Sequence, residues 1–166
     1  MTNLVRRSII IGIGLLIVLT GSIVVVRRTS VTEQYALVRM EGQRVMPFDL
    51  DQTTHNFVTN ATGGVQTVVA NDPANTHQIG LIQFHLTAEI ARFRAGDFAD
   101  PTAMHGPTMP GLAALERGAA GIEFRYMALP AGAQISYATS DAALVAAIHD
   151  WFATQLSDHG ADAMSH

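Results

Sequence analysis

Residues Thr53–Ala70 read TTHNFVTNATGGVQTVVA, two β-prone runs on either side of Ala61-Thr62-Gly63-Gly64. β-Branched residues crowd both arms, and Val65–Ala70 alternates along its length, the period of a strand with one buried face. So short a turn returns the second arm antiparallel to the first. The same grammar recurs later, in Ile122–Leu129 (IEFRYMAL), the turn Pro130-Ala131-Gly132 and Ala133–Ala138 (AQISYA). Two hairpins therefore frame the fold.

The segments after each hairpin say how it is covered. Asp72-Pro73 predicts a helix N-cap with proline in the first turn. Ile79, Ile82, Leu86, Ile90 and Phe93 then repeat every three or four residues until Gly96 stops the helix. After the second hairpin, Ser140 or Asp141 caps a helix whose apolar face is Leu144, Val145, Ile148, Phe152 and Leu156, ending at Gly160. Between them, Asp97–Gly121 is a connector rich in Gly and Pro, with a short helix predicted over Pro110–Arg117. Asp97-Phe98-Ala99-Asp100 reads as a loop and a helix cap. The order ββα, connector, ββα predicts an α+β domain over residues 46–166, an antiparallel four-stranded sheet with two helices on one face. Residues 53–96 and 121–160 resemble a duplication: Gly-Val-Gln66 and Gly-Ala-Gln134 follow the turns, and His85 and His149 each stand eleven residues before a closing glycine.

Upstream the character changes. Ile9–Val26 is an uncharged run of 18 residues in which only Thr20 and Ser22 carry polar side chains. At 1.5 Å per residue it covers about 27 Å, the hydrocarbon thickness of a bilayer. No polar stripe marks it as a soluble helix, and Gly12-Ile13-Gly14 within it suits helix packing in lipid. Arg6, Arg7, Arg27 and Arg28 bracket the run. Residues 1–28 are thus predicted to be a transmembrane anchor, and residues 29–45 a linker or helical stalk, since Val31, Tyr35, Val38 and Val45 fall at near-helical spacing. A cleavable signal peptide is the rival, but Thr20-Gly21-Ser22 leads into more Ile and Val rather than a polar mature start. Two arginines on each side nearly cancel under the positive-inside rule. The free amine and the acidic remainder favour a single-pass protein of the cell membrane, its C-terminal domain periplasmic or otherwise extracytoplasmic.

All ten basic residues are arginine, and from Thr29 onward six of them face fourteen acidic residues, 6 − 14 = −8 with histidine neutral. Such a domain repels phosphate backbones, which excludes nucleic acid as a partner. The chain has no cysteine, so thiol nucleophiles and thiolate metal sites are excluded as well.

Chemistry then falls to seven histidines. His55 lies in a predicted strand, His85 and His149 on the two helices, His105 in the constrained loop MHGPTMPG, and His159 in SDHG near the end. Imidazole with methionine thioether suits copper, and imidazole alone also suits zinc or haem iron. No HxH or HExxH spacing demands a metal, so the metal reading rests on the two halves bringing His85 and His149 together. A hydrolytic set of Ser157, Asp158 and His149 or His159 has the right residue types but no nucleophile elbow. Trp151 and Phe152 are core aromatics, or with His149 the wall of a pocket for a planar ligand.

The segments MPFDLDQTTHNF, GGVQTVVANDP, FRAGDFADPTAMHGPTMPGLAAL and HDWFATQLSDHGADAM, spread over Met46–Met164, resemble a family of short exported or membrane-anchored bacterial proteins, some called aspartate carbamoyltransferase. The resemblance implies an exported or anchored domain and brings no catalytic residues with it. Carbamoyl transfer needs a Ser-Thr-Arg-Thr phosphate loop, a His-Pro segment and two closing α/β domains, none of which this chain contains. Three functions are therefore expected to compete. One is a membrane-tethered binding domain for copper, zinc or haem, through His85, His149, His105, His159 and His55. The others are an envelope structural or interaction protein without ligand, and a small enzyme using His and Asp as acid and base.

Overall fold

A computed structural model of the chain describes residues 31–159 and 163–164. The predicted span Ile9–Val26 lies outside them, and among the described residues no helix is long and apolar enough to cross a membrane.

Among the described residues the fold is α+β, with five α-helices and a sheet whose four main strands are antiparallel. In chain order the elements are α1 (Val31–Val45), β1 (Thr53–Asn60), β2 (Gly63–Ala70), α2 (Thr76–Arg94), α3 (Ala99–His105), α4 (Leu112–Gly118), β3 (Glu123–Leu129), β4 (Gly132–Ala138), α5 (Ala142–His159) and β5 (Ala163–Met164). The hairpins β1–β2 and β3–β4 lie side by side through their second strands, giving the order β3-β4-β2-β1. The short β5 runs parallel to the outer edge of β1, with Ala163 opposite His55 and Met164 opposite Asn56.

Strand alternation puts His55, Phe57, Gln66, Val68, Phe124, Ile135 and Tyr137 on the buried side. Both long helices cover that side. Phe93 of α2 meets Phe124 and Tyr137, while Phe152 of α5 meets Phe57 and Tyr137. Gly64 is what lets α5 approach the sheet so closely: a Cβ there would lie 2.5 Å from the Phe152 ring. The apolar positions read from helical spacing fill this core, with Ile82, Leu86, Ile90, Phe93, Ile148 and Phe152 all buried.

Two local expectations are corrected and two are extended. Asp72-Pro73 does not cap α2; its carboxylate accepts from Ala74 N at 2.8 Å in a turn, and Asn75 caps the helix by accepting from Gln78 N at 3.2 Å. The connector holds a helix, α3, that starts at the cap read over Asp97–Asp100, where Asp97 Oδ1 accepts from Ala99 N at 3.0 Å, and an Arg92–Asp100 ion pair of 2.7 Å ties it to α2. Residues 31–45 form a helix, α1, as their near-helical spacing expects, and it packs on α3 and α5 and buries Val38. Finally, Gln66 pairs with Ile135 and Gln134 with Thr67. Cross-strand partners share a face, so the two glutamines point to opposite sides and are not equivalent positions of a repeat. Elsewhere the caps follow the sequence. Asp141 accepts from Ala143 N at 2.8 Å at the start of α5. Gly96, at φ 77°, ends α2 with Gly96 N→Phe93 O and Asp97 N→Arg92 O bonds of 3.0 Å each.

Candidate functional site

On α2 the buried stripe Ile82, Leu86, Ile90, Phe93 is interleaved with two polar residues, His85 and Glu89, which fall on the same face because the helix repeats every 3.6 residues. They look onto β1 and β2, where His55 and Gln66 point inward by strand alternation. The loop after α1 brings in Met46 and Phe48, α3 supplies Met104, and α5 supplies Gln155. These side chains line one buried cavity of about 10 Å³, room for a single water or ion. Phe48 organises it, its ring 5.8 Å from that of His55 and 5.5 Å from that of His85.

A hydrogen-bond chain runs into this cavity from the core. Tyr137 Oη donates to Gln66 Oε1 at 2.6 Å, and the Gln66 side chain hydrogen-bonds Glu89. The other Glu89 oxygen, Oε2, is buried with no hydrogen-bond partner. Loss of water around Glu89, reinforced by Asp100, pushes its carboxyl up to about 8, so it is a neutral acid at pH 7. Burial likewise lowers the His85 imidazole, only partly offset by Asp100. The cavity therefore carries uncharged donors.

Beside it stands a second polar pair. His105 Nδ1 lies 2.8 Å from Asp158 Oδ2, and the His105 ring also hydrogen-bonds Gln155, the residue that lines the cavity. Burial lowers His105 despite the carboxylate, which leaves a neutral ring donating Nδ1–H to Asp158.

Of the five sequence candidates, the structure thus gathers His55 and His85 on one cavity and places His105 next to it. His149 is elsewhere. Its Nε2 lies 3.0 Å from the carbonyl oxygens of both Asn60 and Gly63, at the tip of the β1–β2 hairpin, five residues along β1 from His55. The pairing of His85 with His149 that equal spacing suggested is not formed. His159 closes α5, but its side chain is outside the described residues, as is His166. Among the described residues no three His, Asp or Glu side chains converge closely enough to hold a metal ion. Donors completing a two-histidine set here are the thioethers of Met46 and Met104. Haem is excluded from this cavity by size.

Glu89 and Gln155 were not singled out from sequence, and Gln66 only as a mark of the possible repeat. Their signal was present: each is a polar residue inside an otherwise apolar helical or strand period. Compared with protein-family models, with curated proteins and with solved structures, the chain finds no match.

Two expectations follow from these side chains alone. Unfolded, Glu89 titrates near its ordinary 4.5; folded, near 8. Across that window the native state holds a proton the unfolded state has lost, so stability falls as pH rises from about 4.5 to 8 and levels off beyond. Glu89→Gln is expected to flatten this slope and to be the more stable form at pH 8, by on the order of a few kcal/mol. Denaturant melts of both proteins at pH 5 and pH 8 measure it, and an equal slope in the variant contradicts it. His149→Ala, by contrast, removes a clamp between α5 and the hairpin and is expected to cost about 1–2 kcal/mol. Ligand binding should be unaffected, and any loss of it in a folded His149→Ala protein would place that residue in the site after all.

Proposed function

We propose that this protein is a membrane-tethered, extracytoplasmic binding domain that holds a single Cu(I) ion through His55 and His85, with the thioethers of Met46 and Met104. One observation carries the reading: two imidazoles and two thioethers from four separate elements line one buried cavity of atomic size. Thioether sulfur is a soft donor that favours Cu(I) over zinc, which is held almost always by four nitrogen, oxygen or thiolate donors. Tethering is supported by the 18-residue apolar run Ile9–Val26 between arginine pairs. The full-length protein in detergent should take up one equivalent of Cu(I) in competition with a chromophoric Cu(I) chelator, and should stay in the membrane pellet after an alkaline wash. Failure to draw copper from the chelator at any excess of protein would remove the binding reading; release by the wash would remove the anchor.

A second reading, an envelope interaction protein without ligand, is favoured by Phe84, which is 71% exposed on α2 beside the half-buried Tyr126. It differs from the first in expecting Phe84→Ser, and not the histidine variants, to abolish function. An acid–base enzyme centred on Glu89 and His85 is less well supported, because a cavity of about 10 Å³ leaves no place for an organic substrate.

A further inference from the structure

The buried cavity needs a way in, and one residue marks it. Between α1 and α3 runs an open groove of about 380 Å³, walled by Leu37, Val38 and Glu41 on one side and Ala103, Met104 and His105 on the other. Met104 lines this groove and the buried cavity alike. It is 9% exposed, a single unbranched side chain standing between solvent and the inner donors. Met46, the other thioether of the cavity, does not reach the groove. The other walls of the cavity include the sheet (His55, Phe57, Gln66, Val68) and α2 (His85, Leu86, Glu89).

We propose that Cu(I) enters from the α1–α3 groove and that Met104 passes it inward, exchanging an outer for an inner position of its sulfur. The inference rests on the copper-binding reading. Methionine suits the task because three rotatable bonds let the thioether swing while its methylenes keep the passage plugged. The wall on which it moves is fixed: Arg92 and Asp100 pin the start of α3 to α2, and the buried His105–Asp158 pair pins its end to α5. Transfer then needs a rotamer change of one side chain rather than movement of a helix. The step conserves charge and breaks no covalent bond; one sulfur–copper contact is kept while nitrogen donors replace those outside.

The test is kinetic. Copper uptake from, and release to, a Cu(I) chelator is followed by stopped flow on the full-length protein in detergent. Ala103→Trp and Leu37→Trp, both at exposed groove positions, should each slow uptake and release together by about tenfold or more while leaving Kd unchanged. Met104→Leu, which conserves volume but deletes sulfur, should slow uptake and also weaken binding. Two independent plugs guard against one of them misfolding, and circular dichroism melts verify each. If both folded tryptophan variants exchange copper at the parent rate, the route is wrong although the binding site stands. If the parent protein binds no copper, site and route fall together.

Discussion

Removing both His55 and His85 as alanines is expected to lower Cu(I) affinity by about a thousandfold or more in a protein that still folds. Loss of a hydrogen-bonding partner behind a ligand typically costs 10–100-fold, so loss of two ligands themselves should exceed that. Each single variant should retain weakened binding, because thioethers and the second imidazole remain. Both buried rings rest against Phe48, so the comparison is made on protein whose fold has been verified. Chelator competition gives the affinities, and far-UV circular dichroism checks the fold. Copper affinity within tenfold of the parent in the folded double variant would place the metal elsewhere, with the tail beside β1 the next candidate.

Trp151→Ala is expected to produce the largest loss of stability, about 3–5 kcal/mol. Trp151 is buried to 1% exposure at the junction of both long helices and the sheet. Its ring lies 5.5 Å from Tyr137, 5.5 Å from Phe152, 5.8 Å from Phe93 and 6.0 Å from Phe98. No neighbouring side chain can fill such a void, because Tyr137 is held by its bond to Gln66 and Phe93 stacks on Phe98 at 4.4 Å. Against a total of roughly 5–15 kcal/mol for a domain this size, a lowering of Tm by on the order of 10 °C follows. Tyr137 also touches the cavity network, so the variant should weaken copper binding as Gln66 loses its fixed orientation. A drop below about 1 kcal/mol would mean that the aromatic cluster packs less tightly than these distances require.

These two variants mark how far the sequence could be read. The hairpins and the apolar stripes of α2 and α5 were legible because each is a local periodic signal reinforced by burial on one side. The helical spacing of α1 was legible too, but not its packing; the buried Val38 finds its partners only when α3 and α5 arrive from far along the chain. Of α3 only the cap at its start was legible. A seven-residue helix containing Pro101 and flanked by glycines has little intrinsic stability, and its ion pair to Arg92 is tertiary.

Histidine identity, likewise, was legible, while histidine grouping was not. His55 and His85 stood out as residue types able to bind metal, yet equal distance from a glycine proved a poor guide to neighbours. His149 is rotated off the inner stripe of α5 and bonds the hairpin carbonyls instead. The better clue lay in the stripes themselves, where His85 and Glu89 interrupt the apolar face of α2 and Gln155 and Asp158 that of α5. Polar residues at core positions require partners, and here the partners are one another across the fold.

X-ray absorption at the copper edge of the full-length, Cu(I)-loaded protein reads the ligand set itself. Imidazole nitrogen together with methionine sulfur is expected around the metal, the sulfur part diminishing in Met104→Leu. A shell of nitrogen and oxygen alone, unaltered by that substitution, would contradict that set.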